Sequence, residues 1–575
     1  MTRLETRRAP PRLVRQLEGQ GVPPLLARLY AARGVKDRSE LDYELKGLIP
    51  PSRLTHAGAA AGLLADAIEA RARIIIVADY DCDGATACAV GARALRAMAG
   101  ENGAVASVDY LVPNRFTDGY GLSPQIVELA AARHPDLLVT VDNGIASLAG
   151  VARARELGIA TLITDHHLPG RELPAADCIV NPNQPGCDFP SKYLAGVGVM
   201  FYVLLALRAE LRARGWFGEA TGVREPNLGA LLDLVALGTV ADVVRLDHNN
   251  RILVHQGLRR VRAGRMNLGV RALFAASGRD PAKAGSADLG FMIGPRLNAA
   301  GRLADMSLGI EALVTDDPAR AFNIARELDR LNRERKNIES DMQEQALARL
   351  AAIDAEHPDA GPALTLFDPE WHQGVIGILA SRIKDRRHRP VFAFARGDDG
   401  ELKGSGRSIP GLHLRDALDL VSKRAPGLLR RFGGHAMAAG ATILETDLER
   451  FGEQFARVAG ELLSPADLAH TLETDGGLEE GYFSIATARL LEDEIWGQGF
   501  PAPLFEDEFV VENQRILKDI HLKLRLRKGR MRIDAMLFNF DRAPGVTIRA
   551  AYRLTVNEYN GLESPQLVVD YFEDR

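Results

Sequence analysis

Between residues 70 and 245, short unbroken apolar runs alternate with helix-length amphipathic segments. The runs are Ile74-Ile75-Ile76-Val77-Ala78, Val105 to Val112, Leu137 to Val141 and Ile159 to Ile163. A strand with one face in water alternates apolar and polar residues, so runs without alternation predict strands covered on both faces. Separated by helices, they predict an α/β domain of doubly wound type built on a parallel sheet. From Asp317-Pro318 to about Ile353 the pattern changes. Ala321, Ile324, Ala325, Leu328, Leu331, Ile338 and Met342 recur mainly at helical spacing among charged residues, and Asp followed by Pro is a good helix start. Such a helix would reach roughly 50 Å, long enough to connect two domains across a cleft. Its apolar seam is too sparse and irregular for a coiled coil.

Residues 356–362, Glu-His-Pro-Asp-Ala-Gly-Pro, read as a linker into a second α/β unit that ends near residue 460. The last hundred residues read as strands: Phe509 to Leu517, His521 to Arg527, Met531 to Phe540, Val546 to Val556 and Gln566 to Phe572. Lys528-Gly529 and Asn560-Gly561 supply turn chemistry between them. Five such strands predict a small β-barrel with an OB-like fold.

Composition narrows the class. At 575 residues the chain is too long for one ordinary core. No apolar run approaches a bilayer span, and the charged N-terminus leads into Pro-rich sequence without a signal core. Cys82, Cys88, Cys178 and Cys187 lack the paired spacing of a zinc site and are too few for a disulfide framework. The expectation is a cytoplasmic protein with reduced thiols. A net charge of −5 argues against nucleic acid only on average, because binding depends on local patches. Two basic concentrations survive: Arg382, Lys384, Arg386, Arg387 and Arg389, which fit a solvated surface, and the stretch from Arg515 to Arg532. In the second, Leu522, Leu524 and Leu526 alternate with Lys523, Arg525 and Arg527, which puts charge on one strand face and apolar groups on the other. Such a face suits sequence-independent contact with single strands, although aromatic residues are sparse there.

Candidate chemistry sits where the strands end. Asp79, Asp81 and Asp83 follow the first run, Asp142-Asn143-Gly144 the third, and Asp165-His166-His167 the fourth. Ligands of open parallel sheets bind at the carboxyl ends of strands. Three acids at alternate positions repel one another unless a cation lies between them, and carboxylates suit hard divalent metals. An EF-hand is disfavoured by the preceding strand and by the missing glutamate at the loop end. Each acid alone would be an ordinary turn or helix cap; together they predict a site. Asp and His without thiolate favour Mn2+, with Mg2+ the alternative. Two ions would suit in-line phosphoryl displacement.

These residues resemble the first three signatures of the DHH phosphoesterase superfamily, and Gly238-Thr239-Val240-Ala241-Asp242 resembles the fourth. The resemblance implies that Asp81, Asp83, Asp142, His166 and Asp242 bind a metal pair, with Asp79 a ligand or an outer partner. Asp165 and His167 would orient these ligands, with His167 touching substrate or protonating the leaving oxygen.

Further segments resemble RecJ-type single-strand-specific exonucleases. They are Ile293-Gly294-Pro295-Arg296-Leu297-Asn298-Ala299-Ala300-Gly301-Arg302, Trp371-His372-Gln373-Gly374-Val375-Ile376-Gly377 and Gly404-Ser405-Gly406-Arg407-Ser408. Arg430-Arg431-Phe432-Gly433-Gly434-His435, with Ala438-Ala439-Gly440, carries the mark of a DHHA1 domain. Gly433-Gly434 would let backbone N–H groups approach an anion beside His435. Ser405, Arg407 and Ser408 combine hydroxyls with a guanidinium as a phosphate cradle. Arg115 is a further candidate for a 5′-terminal phosphate, Gln373 for substrate contact, and at least one of Arg296 and Arg302 is expected to face the DNA backbone.

Pattern and resemblance together predict an N-terminal extension over 1–47, a DHH domain over 48–315, a connecting helix over 316–355, a DHHA1 domain over 356–462 and an OB-like barrel over 463–575. The resemblance, which covers most of residues 50 to 440, further implies a 5′-to-3′ exonuclease on single-stranded DNA that releases mononucleotides in recombination and repair. A single-stranded-DNA-binding protein and a helicase would be its partners, the chain would be a monomer, and it would have no membrane association. The rivals are a small-substrate DHH phosphodiesterase, expected to lack the barrel and long helix, and a silent DNA-binding scaffold, disfavoured by intact acids at every motif.

Overall fold

A computed structural model of the chain describes residues 2–100, 106–114, 121–356, 361–397, 399–518, 520–538, 540 and 542–575. The chain forms two compact units, one of Thr6–Arg330 with Thr474–Arg575 and the other of Met1–Glu5 with Leu331–Glu473.

In the first unit, β1 (Arg73–Ala78), β2 (Ser107–Leu111), β3 (Leu137–Val141), β4 (Ala160–Thr164) and β5 (Cys178–Val180) make an all-parallel sheet in the order β2-β1-β3-β4-β5. Both faces are covered, as the unbroken runs require. Ile74, Ile76 and Ala78 enter one apolar core and Ile75 and Val77 another. The chain reverses its direction of winding between β1 and β3, and the crevice at such a switch point is where ligands of open sheets bind. Four predicted strands are present. The fifth, three residues long, is too short to stand out by pattern.

Helices α1 (Cys82–Ala99), α2 (Gly196–Ala213), α3 (Leu232–Ala241) and α4 (Gly294–Leu303) surround the sheet's carboxyl end. The N-terminal Leu17, Leu25, Leu29 and Tyr30 are buried in the same core, and Tyr30 stacks on Phe500. The long helix, α5 (Pro318–Glu356), starts at the predicted proline and ends three residues past the predicted end.

In the second unit, β6 (Leu364–Phe367), β7 (Val391–Arg396), β8 (Glu401–Arg407), β9 (Arg431–Gly434) and β10 (Ala438–Leu444) form a sheet in the order β9-β10-β8-β7-β6, parallel only between β6 and β7. Helix α6 (Ile376–Arg387) packs on it.

The C-terminal strands β11 (Phe505–Leu517), β12 (His521–Lys528), β13 (Met531–Phe538), β14 (Thr547–Tyr559) and β15 (Leu562–Asp574) close a barrel in the order β11-β12-β13-β15-β14. The turn residues Gly529, Asn560 and Gly561 all have positive φ, as tight hairpins need. Among the described residues all four cysteines are free and buried. No described helix is long and apolar enough to cross a membrane.

Candidate metal centre

The strand ends deliver the acids to one place. Asp81 caps α1, its Oδ1 accepting the N–H groups of Asp83 at 2.9 Å and Gly84 at 3.0 Å. Asp142 leaves β3 with φ +62°, a left-handed conformation that aspartate tolerates better than most non-glycine residues. Asp242 ends α3. His166 Nε2 then lies 3.1 Å from Asp142 Oδ1, 3.5 Å from Asp242 Oδ2 and 3.9 Å from Asp83 Oδ2. Ligand atoms of Asp79, Asp81 and Asp142 also lie within 4.8 Å of one another, as do those of Asp142, His166 and His167. The buried Nε2 makes no hydrogen bond among the described residues.

This donor set fits divalent cations. Burial first, and then mutual repulsion, pushes the pKa values of Asp83, Asp142 and Asp242 upward. Burial and the neighbouring His167 charge push His166 down, so its imidazole is held neutral as a ligand requires. A bound cation removes the repulsion and gives Nε2 a partner.

Asp165 organises the histidines. Its Oδ1 accepts the N–H groups of His166 at 2.7 Å and His167 at 3.1 Å, and meets His167 Nδ1 at 2.8 Å; its Oδ2 accepts Ile145 N–H at 2.9 Å. Burial pushes Asp165 up, yet the hydrogen bond and charge of His167 hold it below the ordinary carboxylate value. Burial likewise works against the His167 cation, but Asp165 outweighs it and raises the pKa to about 9.

Several supporting residues are not among the candidates read from the sequence. Both oxygens of Asp83 accept backbone N–H groups from the start of α2, Gly196 at 2.6 Å and Val197 at 2.9 Å. A Cβ at Gly196 would sit 2.5 Å from Asp142 Cβ, so only glycine lets α2 approach. Asn181 and Asn183, just past β5, donate to the carbonyls of His167 and His166 at 2.9 and 2.6 Å. Asn-Pro-Asn after a short apolar run is the one signal that could have found them. Asn298 of α4 accepts the Cys82 N–H at 2.7 Å.

The expected DNA contacts divide. Arg115 lies outside the described residues. Arg296 departs from a phosphate-facing role: its Nε and Nη2 bond Asp329 Oδ1 at 3.0 and 2.9 Å, and both side chains are buried. Arg302, later on α4, is partly exposed. Ser408 also departs, because it is buried and its hydroxyl donates to Leu412 O at 2.8 Å.

In the second unit, Ser405, Gly440 and Gly433 stand in one row across β8, β10 and β9. Arg407 Nη1 donates to Ser405 Oγ at 3.1 Å. A Cβ at Gly377, at the start of α6, would meet that Oγ at 2.9 Å and Arg407 Nη2 at 3.0 Å. A helix N-terminus, a hydroxyl and a guanidinium thus converge, the elements of an anion site. Gln373 Nε2 is bonded to Arg396 O at 2.8 Å. Gly434 has φ +140° and His435, beside it, is exposed.

Comparison with known proteins agrees with this architecture. The family model described as the DHH family, N-terminal domain, matches residues 73–239; the DHHA1 domain matches 360–461 and the RecJ OB domain 474–571. The chain is 50% identical over 551 residues to the single-stranded-DNA-specific exonuclease RecJ of Dickeya dadantii (strain 3937), covering 94% of this chain and 95% of that protein. It is also 50% identical over 550 residues to the protein of the same name from Escherichia coli (strain K12), covering 94% of each. A crystal structure of RecJ in complex with Mn2+ from Thermus thermophilus aligns with a TM-score of 0.80 at 31% identity, covering 100% of this chain and 79% of that one. With the acid–histidine cluster at the switch point of a DHH sheet and an OB barrel on the same chain, this protein belongs to the RecJ family of DHH phosphoesterases.

Proposed function

We propose that this protein is an exonuclease that hydrolyses single-stranded DNA from a free 5′ end, releasing mononucleotides in recombination and repair. The observation that carries the reading is the buried His166 Nε2, which faces three carboxylates within 3.9 Å and makes no hydrogen bond among the described residues. Asp81, Asp83, Asp142, His166 and Asp242 would hold two Mn2+ or Mg2+ ions, with Asp79 a ligand or outer partner. When bound, such ions lower the pKa of water and neutralise charge building on the scissile phosphate.

The protein's own groups do the rest. Asp165 fixes the ring of His167, and the raised pKa keeps that ring protonated near neutral pH. We assign proton donation to the leaving oxygen to its Nε2. Backbone N–H groups from α2 hold Asp83 in place. Arg302 takes the backbone contact expected of α4, while Gln373, Ser405, Arg407, Gly433, Gly434 and His435 supply a phosphate-binding surface on the second unit. The barrel's basic strands attract the polyanion. The protein would act as a cytoplasmic monomer, with a single-stranded-DNA-binding protein and a helicase as partners.

The test is a nuclease assay on purified protein with Mn2+, offered long single strands labelled at either end, the matching duplex and a dinucleotide. Metal-dependent mononucleotide release from single strands, starting at the 5′ end, is expected. Preference for the dinucleotide, or release without metal, overturns the reading.

A further inference from the structure

A cavity of about 610 Å3 lies in the first unit, away from the strand ends. It is enclosed by the turn between the N-terminal helices Pro11–Gly19 and Pro24–Ala32, the short helical turn Arg38–Leu41 with Asp42, and Glu494. Small-molecule sites run roughly from 300 to 1,000 Å3. The walls are held in place. Gln20 Nε2 donates to Asp37 Oδ2 at 2.6 Å and its Oε1 accepts the Arg38 N–H at 2.9 Å, which ties the interhelical turn to the short helical one. On the far side Ile495 and Trp496 are buried directly after Glu494, and the Trp496 ring lies 5.7 Å from that of Tyr30.

The cavity joins an apolar wall to carboxylates. Val22 and Leu26 are buried, and Pro23 and Leu41 continue their surface. Glu494 is only partly exposed; burial pushes its pKa above the ordinary carboxylate value, against the hydrogen bond it accepts from the Tyr30 hydroxyl. Nearby guanidinium groups are engaged elsewhere. Arg262, whose charge acts on Glu494, has its Nε on Ala284 O at 2.8 Å, and Arg251, whose charge acts on Tyr30, has its Nη1 on Leu246 O at 3.0 Å. A carboxylate withdrawn from water without a paired cation is costly, and a ligand that brings the cation removes that cost. Asp42 is exposed, so the cavity has a second carboxylate at its mouth. Arg38, also exposed, directs its Nη1 to Gln20 O at 2.6 Å.

We propose that this cavity binds an aliphatic diamine, with one ammonium on Glu494, the other on Asp42, and the methylene stem along Val22, Pro23, Leu26 and Leu41. A primary ammonium offers three donors, enough for a carboxylate and a neighbouring oxygen. Each methylene laid on the apolar wall leaves water and adds affinity. Tyr30 is the single aromatic residue lining the cavity among those described, so the aromatic cage that selects a methylated ammonium is missing. Two carboxylates against one guanidinium exclude a purely anionic ligand.

The test is calorimetric titration of cadaverine into the full chain, with Mn2+ saturating so that the acidic centre is filled. Saturable binding to the wild type is expected. Glu494→Gln keeps an acceptor for Tyr30 but loses the charge, and should bind about tenfold to a hundredfold more weakly, the cost of one hydrogen bond to a charged group. Asp42→Asn should lose about twofold to fivefold, as an exposed ion pair does, and pentylamine should bind the wild type no better than cadaverine binds that variant. Arg38→Ala removes a like charge and should bind at least as well as wild type. Absence of saturable binding to the wild type, by heat and by thermal shift, overturns the proposal. So does full affinity in Glu494→Gln, because the diamine then sits on another acidic surface, and so does weakened binding in Arg38→Ala, which marks an anionic ligand. Binding of N-acetyl-lysine amide without binding of cadaverine overturns it in favour of a lysine side chain on a protein partner.

Discussion

Asn298 Oδ1 accepts the backbone N–H of Cys82 at 2.7 Å, so a residue of α4 holds the peptide that lies between Asp81 and Asp83. Cys82 is buried, and losing the acceptor leaves its N–H unsatisfied at a cost of about 1–3 kcal/mol. Asn298→Ala should therefore loosen the acidic loop before it harms the fold. Calorimetry on metal-stripped protein should show Mn2+ affinity about thirtyfold weaker, taking the middle of that range. Hydrogen exchange should rise in the peptide covering 79–84. Wild-type Mn2+ affinity with unchanged exchange there would remove Asn298 from any positioning role.

Gly196 is the second pressure point. Its N–H holds Asp83 and its missing side chain makes room for Asp142. A methyl group placed 2.5 Å from Asp142 Cβ must displace either α2 or the aspartate. A misplacement near 1 Å at a catalytic group is enough for roughly a hundredfold rate loss. Gly196→Ala should lower kcat on single-stranded DNA by about that factor; overpacking at a buried contact costs about 1–3 kcal/mol, so the thermal midpoint should fall by a few degrees while circular dichroism keeps the native signature. A variant with full activity would show that the loop adjusts without consequence.

Metal should stabilise the protein as well as activate it. Asp83, Asp142 and Asp242 carry raised pKa values from burial and from the charge of neighbouring aspartates, so the cluster is destabilising when ionised without a cation. A ligand present at a hundred times its dissociation constant adds about 2.7 kcal/mol. Adding Mn2+ to chelator-treated protein should raise the first thermal transition by several degrees, and Asp142→Ala should abolish most of that rise. Equal melting curves with and without Mn2+ would argue that the cluster does not bind the ion.

The acids are legible in the sequence because each follows an apolar run directly, and a parallel sheet brings the ends of its strands together. What fixes them is not. The Asn298–Cys82 contact spans 216 positions, and the Gly196 contact to Asp83 spans 113. An asparagine or a glycine carries no mark of a partner so far along the chain. β5, at three residues, falls below the length at which periodicity says anything, and the asparagines behind it escape notice with it. The basic strands do form the charged face that their alternation predicts. Their neutralisation by Glu512 and Asp534 depends on cross-strand geometry and on a bulge between Val511 and Asn513, neither of which pattern alone supplies.

Arg296 shows the same limit and gives a sharp test. Its residue type and its place in the segment from Ile293 to Arg302 suggest a phosphate contact, yet Asp329 of α5 holds its guanidinium through two bonds, with the side chains 8% and 7% exposed. Removing one partner strands a buried charge, which costs about 3–5 kcal/mol, whereas replacing both with apolar residues of similar volume is often neutral. Asp329→Ala should thus be strongly destabilised in denaturant melts, and the Arg296→Met, Asp329→Leu double variant should regain most of the loss. That double variant also separates the two roles. A phosphate contact would take about 0.7 off the slope of log affinity for single-stranded DNA against log salt. An ion pair that braces α4 against α5 leaves the slope unchanged. A reduced slope in the refolded double variant would return Arg296 to the DNA.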